Sequence, residues 1–246
     1  MIVAFHGFMG CGADFDPMAS RLSMEFQSPD LIGHGAHCSM NPVDYNTTVQ
    51  VDYWIQRIPK GSILIGYSMG GRLALQLATR YPTYFSGLIV IGGTPGLKER
   101  EEQNRRVQWD AQQALRLRQD GMAIFVDYWQ QLPIISTQEN IPTEIRKPMM
   151  ERRLQQDPAM LALSMQHFGT GTMPNCWGEL EHLTMPTLLM VGEHDPKYQR
   201  IANEMMRYLP SAQLSIVPNA GHCAYLENID WSVNVIQSFM SKIGAK

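Results

Sequence analysis

The chain has 246 residues, 44% of them hydrophobic and 17% charged, with a formal net charge of −3. That balance supports a buried core and argues against disorder, and it leaves no basic footprint for nucleic acid or an acidic membrane. The longest apolar runs, Leu88 to Ile91 and Leu188 to Val191, have strand length, far below the roughly 20 apolar residues of a bilayer span, so no membrane association is expected. The opening Met1-Ile-Val-Ala-Phe-His-Gly has no basic start and runs into a strand, so no secretory signal is read there and a cytoplasmic location is expected. Cys11, Cys38, Cys176 and Cys223 form no C-x-x-C pair and are read as reduced thiols.

In chain order, Ile2 to Phe5 is a short strand ending in His6-Gly7-Phe8. Asp14 to Ser23 suits a helix, with Asp14 as N-cap and Pro17 in the first turn. A second strand is expected near Phe26, before the glycine-marked loop Asp30 to Gly35. Val51, Trp54, Ile55 and Ile58 recur at helical spacing within Tyr45 to Ile58. Ser62 to Gly66 is a buried strand, and Leu73 to Arg80 is a helix. Ser86 to Gly92, Thr187 to Val191 and Gln213 to Val217 are further strands, with helices at about Tyr198 to Tyr208 and Ile229 to Ile243. Strands alternating with helices predict an α/β fold with a mostly parallel, doubly wound sheet. Residues from about 95 to 184 hold helical stretches and scattered prolines but no convincing strand. They are read as a helical cap insertion within one domain spanning 1–246.

Chemistry concentrates at three places. Gly66-Tyr67-Ser68-Met69-Gly70 follows a strand and opens a helix, the context of a nucleophile elbow that exposes the Ser68 hydroxyl. A serine needs a histidine to accept its proton and a carboxylate to orient that histidine. Asp195, after the strand at 187–191, and His222, after the last strand, stand where parallel strands deliver their C-terminal ends. The order Ser68, Asp195, His222 is that of an α/β-hydrolase triad. An oxyanion hole needs two converging backbone N–H groups; Met69, after the nucleophile, and Phe8, after the first strand, are the candidates. His34, His37 and Cys38 lie in a glycine-rich loop that would hold a metal poorly, so no metal is expected, and no cofactor. His167, His182 and His194 are read as surface or structural, with a pocket-lining place left open for His194 beside Asp195.

Gly66-Tyr-Ser-Met-Gly-Gly-Arg72, Gly92-Gly-Thr-Pro-Gly-Leu97, Asp127-Tyr-Trp-Gln-Gln131 and Gly192-Glu-His-Asp-Pro-Lys197 together resemble the 2-succinyl-6-hydroxy-2,4-cyclohexadiene-1-carboxylate synthases of menaquinone biosynthesis, within the α/β-hydrolase superfamily. The resemblance runs over nearly the whole chain, save that the antiparallel strands that usually open the superfamily's sheet are missing or reduced. It implies a lyase that expels pyruvate, with a triad that abstracts a proton, and substrate contacts at Tyr67, Arg72, Arg106, Trp129, Arg153 and Lys197. Arg152 stays open as the alternative to Arg153. Independently, arginines along the cap and one turn past Ser68 suit a small polycarboxylate substrate, because guanidinium pairing fixes orientation as well as charge. The cap arginines could instead be solvated, with Glu99, Glu101 or Glu102 pairing Arg105 or Arg106 at helical spacing.

Two other functions compete. The same triad could hydrolyse a carboxylic ester or thioester through an acyl-enzyme on Ser68. A ligand receptor on the hydrolase fold is the non-enzymatic alternative, disfavoured because all three triad members are present. Oligomeric state is not encoded in any of these features.

Overall fold

The computed structural model describes residues 1–244. Six strands, β1 (Ile2–Phe5), β2 (Phe26–Gln27), β3 (Ile63–Tyr67), β4 (Gly87–Ile91), β5 (Thr187–Gly192) and β6 (Ala212–Val217), form one sheet in the order β2-β1-β3-β4-β5-β6. Every pairing is parallel, with Phe5 opposite Gly66 and Tyr67 opposite Ile91 in register. Parallel neighbours need crossover connections, and these put helices on both faces and bury the central strands on both sides. Accordingly every residue of β1, β3, β4 and β5 is buried. No antiparallel hairpin opens the sheet among the described residues, and the two-residue β2 forms that edge.

Alternate side chains serve two cores. Val3, Phe5, Leu64, Leu88, Val90 and Leu189 pack with α2 (Thr47–Ile55), α3 (Met69–Arg80) and α8 (Pro196–Met205). Ile2, Ala4, Ile63, Ile65, Ile89 and Met190 pack with α1 (Asp16–Ala19), α9 (Ala224–Glu227) and α10 (Ile229–Lys242). Between β4 and β5 the chain runs as α4 (Arg100–Gln130), α5 (Pro133–Ser136), α6 (Thr143–Leu154) and α7 (Pro158–His167), with no strand. Leu117, Phe125, Val126, Trp129 and Leu161 give this cap a core of its own, which reaches Met9 in the loop after β1. Gly121, at φ 71 and ψ 179, breaks α4 into two arms.

Four helices differ from the sequence expectation, among them α8, which runs from Pro196 to Met205 rather than from about Tyr198 to Tyr208. The stretch at 14–23 is a 3-10 turn, Gly12–Phe15, followed by the single turn of α1, and Asp14 caps no α-helix. Its carboxylate instead accepts the Cys11 N–H at 3.2 Å, a local capping-box contact of the 3-10 turn, and pairs with Arg152 of the cap. α2 starts at Thr47, two residues late, because Asn46 caps it by accepting the Thr48 N–H at 2.9 Å. α3 starts at Met69 rather than Leu73, so Gly70 and Gly71 lie within its first turn.

Candidate active site

Ser68 joins β3 to α3 with φ 50 and ψ −104, a left-handed conformation strained for a residue with a side chain. The turn is possible because the backbones around it nearly touch. A Cβ on Gly66 would lie 2.4 Å from the Gly70 carbonyl oxygen, and one on Gly70 would lie 2.0 Å from that of Phe5. The reward of this packing is a hydroxyl at the helix N-terminus, half open to a cavity.

Loops at the C-terminal ends of β5 and β6 bring the other two predicted members to it. His222 Nε2 lies 2.9 Å from Ser68 Oγ, and His222 Nδ1 lies 2.7 Å from Asp195 Oδ2. Asp195 is fixed by a second role. As N-cap of α8, its Oδ1 accepts the Tyr198 N–H at 3.2 Å, which leaves Oδ2 for the imidazole. Asp195 and His222 are buried, and the rings of Tyr198 and Tyr67 flank the imidazole at 4.5 and 5.5 Å between centroids. His194, beside the acid, is exposed, as are His167 and His182.

The N–H groups of Phe8 and Met69 donate to no carbonyl or side chain among the described residues, whereas the Ser68 N–H donates to the Ile91 carbonyl at 2.8 Å and the Gly70 N–H to that of His6 at 3.0 Å. The two predicted oxyanion donors, both lining the cavity, are thus uncommitted. The loop bearing Phe8 is tied down by His6, a role the sequence did not disclose. Buried, His6 donates from Nδ1 to the Gly7 carbonyl (2.8 Å) and accepts the Leu31 N–H at Nε2 (2.9 Å). Those backbone partners require the neutral ring, and burial lowers its pKa in the same direction.

The cavity over Ser68 has a volume of about 470 Å³ and is lined by all six predicted substrate contacts: Tyr67, Arg72, Arg106, Trp129, Arg153 and Lys197. Arg72 is buried, its guanidinium donating to Thr170 Oγ1 at 2.9 Å and standing 5.3 Å from the Phe168 ring. Burial, and then the charge of Arg106, push its pKa down to about 10. Lys197 is exposed as a whole residue, yet partial shielding of its ammonium, and then Arg106, hold it below the ordinary lysine value. These three cations therefore form one positive cluster. Arg153 stands apart, beside Tyr67. It is buried, with its Nη atoms 3.7 Å from the sulfurs of Met149 and Met150 and its Nε without a partner. Its neighbour Arg152 pairs instead with Asp14 and does not line this cavity.

Arg105 pairs loosely with Glu101 on the exposed face, but Arg106 turns the other way, its Nε 2.8 Å from Asp110 Oδ1. Asp110, a cavity residue that the sequence reading missed, is buried, and its Oδ2 has no partner. Its i,i+4 spacing from Arg106 was the available signal. Gln138 and Trp109 also line the cavity and carried no motif. The remaining wall is apolar, including Ile134, Ile135 and Met165.

A model of the alpha/beta hydrolase family matches residues 2–234. A Bacillus subtilis (strain 168) protein, provisionally named 2-succinyl-6-hydroxy-2,4-cyclohexadiene-1-carboxylate synthase, is 34% identical over 98% of this chain and 90% of its own length. The synthase of that name from Enterobacter sp. (strain 638) is 32% identical, over 92% of this chain and 86% of its own. Among solved structures, MenH from S. aureus superposes with a TM-score of 0.90 at 32% identity, covering 99% of this chain and 94% of that one. The elbow turn, the parallel sheet and the full-length likeness agree, and the chain belongs to the α/β-hydrolase family and, within it, to the 2-succinyl-6-hydroxy-2,4-cyclohexadiene-1-carboxylate synthases.

Proposed function

We propose that this chain eliminates pyruvate from 2-succinyl-5-enolpyruvyl-6-hydroxy-3-cyclohexene-1-carboxylate to give 2-succinyl-6-hydroxy-2,4-cyclohexadiene-1-carboxylate, a step of menaquinone biosynthesis. The observation that carries the reading is the lining of the cavity over Ser68, where two buried arginines, Arg72 and Arg153, have no acidic partner. A buried unpaired cation costs free energy unless an anion meets it, and this substrate brings three carboxylates. The apolar wall of Trp109, Trp129 and Ile135 suits its ring.

The chemistry follows from the bonds that change. Ser68 passes its proton to His222 Nε2, and its oxygen takes the proton from ring carbon 2, next to the succinyl ketone. The electron pair forms the 2,3 double bond, the 3,4 double bond moves to 4,5, and the bond from carbon 5 to the enolpyruvyl oxygen breaks. The leaving enolate recovers a proton from His222 and becomes pyruvate. Charge builds on the ketone oxygen during the first transfer, where the N–H groups of Phe8 and Met69 would receive it. Asp195 keeps the imidazole in the tautomer that accepts at Nε2. No acyl-enzyme forms. With three carboxylates the substrate does not diffuse across a bilayer, so the reaction is assigned to the cytoplasm, where it would be made. No helix among the described residues is long and apolar enough to cross a membrane.

The test is pyruvate release from the enolpyruvyl substrate, followed with lactate dehydrogenase. Rapid release is expected, falling by about 10³-fold or more in Ser68→Ala with the fold intact. No release, with a burst of p-nitrophenol from a short ester and acylation of Ser68, would replace the lyase with an esterase.

A further inference from the structure

The loop carrying His222 is held from behind by a carboxylate outside the triad. Glu227, the last residue of α9, is buried. Its Oε2 accepts the Gly221 N–H at 2.6 Å, and its Oε1 accepts the Cys223 N–H at 3.1 Å. The backbone amides immediately before and after His222 therefore end on one carboxylate. Charge-assisted bonds of this kind are about twice as strong as neutral ones, and together they set the position from which the imidazole leaves the backbone.

A third donor comes from the cap. Thr137 Oγ1 lies 3.0 Å from Glu227 Oε1, and the approach is so close that a Cβ on Gly221 would fall 2.1 Å from that hydroxyl. The next cap residue, Gln138, reaches the Tyr67 hydroxyl at 3.5 Å, beside Ser68. Two consecutive cap residues thus touch the supports of both His222 and the elbow. The imidazole must meet Asp195 at one end and Ser68 at the other, at 2.7 and 2.9 Å. A displacement of the ring by a fraction of an ångström breaks one of those contacts.

We propose that Glu227 is a positioning residue for His222, and that Thr137 makes the seat of His222 depend on the cap being docked. The proposal rests on His222 acting on Ser68, as in the proposed function, but not on which substrate is turned over.

The experiment compares wild type, Glu227→Gln, Thr137→Val and the double variant by two readouts: kcat and KM for pyruvate release, and the rate at which a small fluorophosphonate labels Ser68. Glu227→Gln should lower both kcat and the labelling rate by about 10- to 100-fold, the scale of a displaced reacting group, while KM moves less than about threefold. Thr137→Val should lower both by a smaller factor, and the double variant should be no slower than Glu227→Gln alone. Wild-type labelling by folded Glu227→Gln overturns the positioning role. Multiplying effects in the double variant overturn the link through Thr137. Should Glu227→Gln fail to fold, Thr137→Val decides, and an unchanged labelling rate overturns the proposal. Labelling of the wild type without pyruvate release refutes the lyase alone, and the labelling rates of the variants still decide the role of Glu227.

Discussion

Arg152 and Arg153 are adjacent in α6 and serve different partners: Arg152 Nη2 lies 2.7 Å from Asp14 Oδ1, while Arg153 lines the cavity with only methionine sulfurs at hand. Arg153→Gln should raise KM for the lyase substrate by about tenfold or more, the value of a charge-assisted pair, with no loss of stability, since an unpaired buried charge is removed. Arg152→Gln should leave KM within about twofold and destabilise the fold by about 1–3 kcal/mol, because Asp14 stays buried without its partner. Steady-state kinetics and thermal denaturation of both variants read the contrast, and the opposite pattern would exchange the two assignments.

Asp110 supplies a pH signature. Burial raises its pKa, and the Arg106 charge opposes that rise without cancelling it. A raised folded-state value means that the folded protein binds the proton more tightly. The contribution of Asp110 to stability is then full below the unfolded value of 3.8 and is lost as pH rises through the folded one. The Tm of wild type relative to Asp110→Asn should therefore fall as pH rises above the unfolded value of 3.8. A flat difference would show that the Arg106 pair compensates fully. With Arg106 no longer held by a charge, the same variant should raise KM about three- to tenfold.

Ligand affinity should depend on the cation cluster at alkaline pH. Burial and Arg106 depress Arg72 to about 10, and Lys197 is depressed too. A bound carboxylate favours the charged forms and raises both values. Binding is thus strongest below the depressed values and weakens as pH rises through them. Calorimetric titration with the cyclohexadiene product from pH 7 to pH 10.5 should show Kd rising above about pH 9. Lys197→Gln should reduce the slope. A pH-independent Kd would mean that neither group meets the ligand.

The strained turn makes a sharper claim about the backbone. With the Phe5 carbonyl oxygen 2.0 Å from where its Cβ would stand, Gly70→Ala has to push β1 from α3. A loss of more than about 3 kcal/mol, or failure to accumulate as soluble protein, is expected. Denaturant titration that found the variant as stable as wild type would contradict the close packing.

Periodicity alone located β1, β3, β4 and β5, because strands buried on both faces must be continuously apolar and are bounded by turn residues. The meeting of the three predicted triad residues was legible for a related reason. A parallel sheet delivers its strand ends to one edge, so Ser68, Asp195 and His222 could be placed together from their positions after three strands. Helix starts were less legible. The Asp14 carboxylate, expected to cap an α-helix, serves a 3-10 turn and an ion pair with a residue 138 positions away.

What the amino-acid order determined, then, is the sheet, the elbow and the meeting of Ser68, Asp195 and His222 at one sheet edge, since each depends on local conformation or on which end of a strand a residue follows. The tertiary structure alone decided which of two adjacent arginines faces the cavity, that Arg106 leans on Asp110, and that Thr137 meets Glu227 behind His222. Those choices depend on how the cap seats over the sheet. Its orientation comes from long-range packing, such as Phe8 against Trp129 at 5.4 Å, which no local pattern encodes.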